Sequence, residues 1–160
     1  MEAVFPPPVD TRNPGVFLSA SGRARVVYFP GDIDRTFWDV LDVDHAHLLR
    51  NAVLWATDEI APVTVDGPGI LDVSVWTQRN SMTVHLVNLT NPMMMKGPIR
   101  EVIPLGEQRL RIKIPEGRRV KQAKLLVAGK DIPFRSEQAS ILLNVPSVAV
   151  HEVVALDFAV

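Results

Sequence analysis

At 160 residues, with 47% hydrophobic and 22% charged content, the chain is long enough to bury one core or two small ones, and this composition excludes a disordered protein. Its 17 basic residues nearly cancel its 18 acidic ones, which leaves no long-range field to draw it to nucleic acid or an anionic membrane, so neither is expected as a partner. The absence of cysteine excludes disulfides, thiolate metal sites and a cysteine nucleophile.

The opening stretch, MEAVFPPPVD, has neither a basic start nor an apolar signal core, and no apolar run approaches the roughly 20 residues needed to cross a bilayer. A cytoplasmic location is expected. Pro6, Pro7 and Pro8, followed by Asp10, Asn13, Pro14 and Gly15, read as an extended connector. Arg25 to Phe29 (RVVYF) is apolar without alternation, which predicts a strand buried on both faces as in parallel sheets, with Val16 to Leu18 as a shorter neighbour. The stretch PGDIDRTFWDVLDVD reads as a loop. A helix follows from about Asp44 to Asp58, because His45, Leu48, Leu49, Ala52, Val53 and Ala56 recur at the spacing of one buried face. Asp42 or Asp44 caps its start; Asp44 is preferred, since a carboxylate there complements the positive end of the helix dipole.

From Pro62 the hydrophobic period becomes two. Leu71, Val73 and Val75 face one way and Asp72, Ser74, Trp76 and Gln78 the other; Met82 to Leu89 then places Val84 and Leu86 on one face. With Asn80-Ser81 as the turn, Val75 is expected opposite Leu86 and Trp76 opposite His85. Further strands are predicted at Gln108 to Ile114 (Leu110, Ile112 and Ile114 inward, Arg109, Arg111 and Lys113 outward), Ala123 to Val127, Ile132 to Phe134, Ile141 to Val145 and Val150 to Phe158. Turns such as PEGRR and AGKD separate them, and seven or so short strands at this spacing predict an antiparallel β-sandwich. The chain therefore divides near residue 60. Two strands and one helix in about sixty residues cannot cover both sheet faces or close the sheet edges, so the first part has the look of half a domain.

The stretches GRARVVYFPGDIDRTFW, DHAHLLRNAVLWA, GPGILDVSVW and MTVHLVNLTNPMMMKGPIREVIPLG resemble the C-terminal portion of bacterial glycoside-hydrolase-like proteins, organised like family 42 β-galactosidases and the related hypothetical glycosyl hydrolases. The run from Leu86 to Pro104 is the most specific part of the resemblance. It implies an α+β chain. Residues 1–60 would be a fragment of a flavodoxin-like, glutamine-amidotransferase-like trimerisation domain, and residues 61–160 an immunoglobulin-like β-sandwich. In such proteins the acid/base and nucleophile glutamates lie on a (β/α)8 barrel that has no counterpart in this sequence. No catalytic residue is carried over, no cofactor is implied, and the chain as it stands is not expected to be an enzyme.

Taken on their own chemistry, Asp32, Asp34, Asp42, Asp44, His45 and His47 supply donors that suit a divalent cation, but their spacing fits no metal loop and they read as turn and cap residues. As a glycosidase pair, Asp32 and Asp34 lie two residues apart in one turn, without a cleft between them. No Gly-x-Ser-x-Gly elbow and no phosphate loop occurs. The basic stretch Arg109, Arg111, Lys113, Arg118, Arg119, Lys121 and Lys124 alternates with apolar residues and lacks interleaved aromatics, as a solvated strand face does. Asn88-Leu89-Thr90 matches a glycosylation sequon and is discounted, since it ends a strand.

Two surfaces remain as candidates. Trp76, an aromatic on a polar strand face with His85 across from it, suits a sugar ring, and Trp38 could reach a substrate cleft or an interface. Met93, Met94 and Met95 are flexible, polarisable side chains in a loop at 90–98 shaped by Pro92, Gly97 and Pro98; with Arg35 they are read as an interdomain or intersubunit contact. The expected partners are a second copy of the chain or a separate catalytic domain, and an oligosaccharide if Trp76 is a binding residue. Two functions follow: an accessory module that packs and oligomerises, or an autonomous carbohydrate-binding sandwich.

Overall fold

Residues 13–40, 42–90 and 101–159 are described by the computed structural model, in which the chain separates into two units, Met1–Ile60 and Ala61–Val160. In the first, β1 (Phe17–Ser21) and β2 (Ala24–Tyr28) form a hairpin around Gly22, whose φ of 59° a side chain would strain. The pairing is antiparallel, Phe17 opposite Tyr28 and Ala20 opposite Arg25. This corrects the expected parallel arrangement: an apolar run does not encode strand direction, whereas a two-residue turn does. Arg25, Val27 and Phe29 are half-buried, while Val26 and Tyr28 on the other face are exposed, so the run is covered on one face.

The expected loop after β2 contains a helix, α1 (Ile33–Val40). The Asp32 carbonyl accepts from the Thr36 N–H at 3.0 Å and the Thr36 hydroxyl at 2.7 Å, and Ile33 and Phe37, one turn apart, form its half-buried stripe. Helix α2 (Val43–Thr57) is capped by Asp42, not Asp44: the Asp42 carboxylate accepts from the backbone N–H of Asp44 at 2.8 Å and of His45 at 3.3 Å, from an extended backbone that Asp44, inside the helix, does not have. Asp58, in the left-handed region at φ 54°, ends it. His45, Leu49, Ala52 and Ala56 are half-buried, but Leu48 and Val53, assigned to the same face by spacing, are exposed. Arg25 clips β2 to the end of α2, donating to the Trp55 carbonyl at 3.0 Å and the Asp58 carboxylate at 2.7 Å while its guanidinium lies over the Trp55 ring. No described residue of this unit is buried.

The second unit is a sandwich of two antiparallel sheets. One has the order β3 (Val63–Asp66), β6 (Gln108–Lys113), β10 (Ser140–Val145), β9 (Phe134–Glu137); the other β4 (Leu71–Thr77), β5 (Ser81–Asn88), β11 (His151–Phe158), β7 (Val120–Leu125), β8 (Lys130–Asp131). Alternation fills the space between them. Val84 and Leu86 from β5, Leu110 and Ile112 from β6, Ile141 and Leu143 from β10, and Val154 and Leu156 from β11 are buried in one cluster, with Leu71, Val73 and Val75 packed against it. Among the described residues the chain is thus mostly β, with two helices, both in its first part.

The sandwich differs from the sequence reading in three places, two of them with a local cause. The β4–β5 turn is Arg79-Asn80, since the Gln78 N–H donates to the Ser81 carbonyl at 2.8 Å; Val75 therefore faces Val84, and Trp76 faces Thr83 rather than His85. A slip of two residues preserves parity, so every side chain keeps its expected face. The strand expected at Ile132 to Phe134 is divided by Pro133, which has no N–H for a ladder: β8 precedes it in one sheet and β9 follows in the other. The short β3 was not anticipated.

The buried polar residues of the sandwich, Asn88, Gln108 and Glu152, are matched. The Asn88 amide donates to the Ile103 and Ala149 carbonyls at 2.9 and 2.8 Å and accepts from the Thr90 N–H at 2.9 Å. Engaged on all sides, it is not presented as a glycan acceptor. Glu152 accepts from the N–H groups of Val127, Ala128 and Val153, which holds the β7–β8 turn. Gln108 donates to the Pro68 carbonyl at 2.9 Å, and a Cβ on Gly67 would collide with its side chain, so glycine is required there.

Candidate functional site

The outward face of the five-stranded sheet carries the richest chemistry of the second unit. Strand parity sets Asp72, Ser74 and Trp76 of β4, Thr83, His85 and Val87 of β5, and His151, Val153 and Ala155 of β11 on this side. Trp76 is 64% exposed, an unusual state for an indole on a regular strand, with the Thr83 hydroxyl across from it. Ser74 faces His85, and His151, paired in register with Val87, is the diagonal neighbour of His85. The His85 Nδ1 and the His151 Nε2 are 3.3 Å apart, and the Thr83 hydroxyl oxygen is 3.4 Å from the His85 Nε2. The two ring planes differ by 23° with centroids at 5.4 Å. The nitrogens lie much closer than the ring centres, so the imidazoles meet edge to edge, through nitrogen, and form a chain Thr83–His85–His151.

Trp76 and His85 are thus brought to one sheet face. His151 and Thr83 were missed by sequence reasoning, because nothing local reports that β11 lies beside β5; the one available signal was parity within each strand.

The opposite sheet presents a charged ladder. Arg109 pairs with Asp66 on the neighbouring strand, and Arg111 and Arg135 share Glu137 at 3.3 and 3.5 Å. Neutralisation of this kind, across strands and, for Arg135 and Glu137, within β9, fits a solvated face, as the sequence pattern indicates. At one end of the sandwich a groove of about 510 Å³ runs between the Glu116–Arg119 turn and the Gln138-Ala139 turn. Its Arg118 is engaged, donating to the Arg79 carbonyl at 2.8 Å and lying over the Phe158 ring.

In the first unit, Trp38 is 62% exposed and sits on α1 rather than in a loop. Arg35, also on α1, pairs with Asp32 at 2.6 Å. The Asp34 carboxyl is held below its ordinary value, first by the Arg35 backbone N–H and then by a hydrogen bond with Asp32. An open cavity of about 270 Å³ lies between α1 and α2, lined by Phe29, Asp32, Ile33, Thr36 and His45 among others. The buried Nδ1 of His45 has no hydrogen-bond partner among the described residues. Met93, Met94 and Met95 lie outside the described residues. Among the described residues no group of three or more His, Asp or Glu side chains converges on a metal position. No described helix is long and apolar enough to cross a membrane.

No family model and no curated protein matches the sequence. Among solved structures, the chain is similar to alpha-L-fucosidase isoenzyme 2 from Paenibacillus thiaminolyticus, with a TM-score of 0.72 at 18% identity, over 92% of this chain and 22% of that one. At this identity the likeness establishes the fold alone: the chain shares the architecture of a segment of that protein and spans about a fifth of its length.

Proposed function

We propose that the chain is a non-catalytic accessory region of a glycoside-hydrolase-like protein of carbohydrate metabolism, in which the first unit works in assembly and the sandwich is its companion β domain. One observation carries this: a unit with no buried residue among those described exposes Phe17, Leu18, Val26, Tyr28, Val40, Val43 and Val53, more apolar surface than a free-standing domain tolerates. The unpartnered Nδ1 of His45 is of a piece with a unit that is completed from outside. The match to a segment of an alpha-L-fucosidase supports the glycoside-hydrolase context, and the stretches described above support a family 42-like organisation with residues 1–60 at the end of a flavodoxin-like trimerisation domain. An antiparallel hairpin is compatible with that origin, since mostly parallel sheets often carry an antiparallel edge. On this reading the glycosidic chemistry resides on a catalytic barrel outside this chain.

Light scattering coupled to size exclusion tests the proposal. A defined oligomer whose population grows with concentration is expected, and a monomer at all concentrations, with no binding to a supplied barrel domain, contradicts it.

A second reading rests on Trp76. An exposed indole flanked by Ser74, Thr83 and His85 offers a stacking surface ringed by hydrogen-bonding groups, the make-up of a platform for a neutral oligosaccharide. Oligosaccharide should then shift tryptophan emission in the wild type but not in Trp76→Ala.

A further inference from the structure

We infer that His85 and His151 form a two-imidazole site for a borderline divalent metal ion, Zn2+ foremost, on the outward face of the five-stranded sheet. Three observations converge on it.

The first is distance. Two imidazole nitrogens bound at about 2.0–2.1 Å to a tetrahedral Zn2+ stand about 3.3–3.4 Å apart, the chord of the tetrahedral angle. The His85 Nδ1 and the His151 Nε2 are 3.3 Å apart, so an ion set to one side of the line joining them requires tilting of the rings and no separation of the strands. The second is orientation. The rings meet edge to edge through these nitrogens, so that once the proton between them moves to a far nitrogen, both in-plane lone pairs are available to one ion beside the line that joins them.

The third is the outer partner. A metal-binding imidazole keeps its remaining N–H, and a hydrogen bond to that N–H fixes tautomer and ring angle. For His85 the remaining nitrogen is Nε2, and the Thr83 hydroxyl oxygen is 3.4 Å away as an acceptor. Without metal, one facing nitrogen carries the proton that bridges the pair. On binding, that ring moves its proton to the far nitrogen, both facing nitrogens are bare, and no proton is lost from the neutral pair. Imidazole donors select Zn2+, Cu2+ and Ni2+ over Ca2+ and Mg2+, which take oxygen. No third His, Asp or Glu joins the pair among the described residues, so water completes the shell and the ion keeps open positions toward solvent.

This inference stands independently of the assembly reading. The other two histidines, His45 and His47, lie two residues apart on α2 and provide an internal control.

The experiment is a titration of the untagged 160-residue chain with ZnCl2, followed calorimetrically and by long-range 15N spectra of the histidine rings. One ion per chain is expected, with the His85 Nδ1 and the His151 Nε2 shifting and the His45 and His47 rings unmoved. His85→Ala and His151→Ala should each weaken binding more than about tenfold, because even outer partners of metal ligands are worth 10-fold or more. Thr83→Val is the positioning test: it should weaken binding about tenfold and alter the His85 tautomer ratio in the metal-free spectrum. Each variant is compared by circular dichroism, and if an alanine variant unfolds, His151→Gln replaces it. Binding that survives either histidine substitution, or ring shifts confined to His45 and His47, overturns the inference, as does the absence of Zn2+ binding to the folded wild type.

Discussion

Leu18 and Leu86 occupy comparable positions, each within a β-strand of an antiparallel pair, yet Leu18 is 61% exposed and Leu86 is fully buried. The difference is the number of layers. Leu86 has a second sheet facing it, whereas Leu18, opposite Val27 on the hairpin face toward α2, sits on β1, and α2 packs against β2. Apolar patterning creates the demand for burial, and the layers that meet it must come from the same chain or from a partner. By this measure the second unit is self-sufficient and the described residues of the first are not.

Separating the two halves gives the largest expected effect. Residues 61–160 expressed alone should unfold cooperatively and keep dispersed amide spectra, whereas residues 1–60 alone should show the narrow dispersion of an unfolded chain. A well-folded 1–60 fragment at low concentration would break the comparison.

A pair of truncations sharpens it. Leu86→Ala should cost about 2–5 kcal/mol in chemical denaturation, the cost of a cavity in a packed core. Val53→Ala on α2 should change stability by no more than about 0.5 kcal/mol in the monomer, because its side chain is largely in solvent. If Val53 lies in an interface, the same change weakens association instead, so one substitution distinguishes fold from assembly. Arg25→Ala comes last: it removes a carbonyl bond and a partly exposed ion pair at the end of α2, and should cost about 1 kcal/mol, visible as fraying of Trp55 to Asp58 in amide exchange.

How much of this could be seen in the sequence depends on how local each signal is. Alternation in Leu71 to Val75, Val84 to Leu86 and Leu110 to Ile114 gave the inward faces correctly, because side-chain parity is a property of a single strand. The β4–β5 register was off by two because Arg79-Asn80 and Asn80-Ser81 are both plausible turns, and only the Gln78–Ser81 hydrogen bond selects between them. Helix α1 was hidden by its opening: Pro30, Gly31 and Asp32 are turn formers, and Asp32 also starts a helix once Thr36 and Arg35 lean on it. The indole of Trp76 was legible as an outward aromatic. So was His85 on the same face, but its meeting with His151 was not, since the two are 66 residues apart and meet only through the β5–β11 ladder.

The central claim is that the first unit is incomplete in isolation while the sandwich is complete, and hydrogen exchange of the full chain at two protein concentrations tests it most directly. Amides of β5 and β11 should be protected to the same, global level at both concentrations, and those of β1 and β2 should exchange quickly when dilute and gain protection as concentration rises. Strong, concentration-independent protection of β1 and β2 in a dilute monomer would contradict the account.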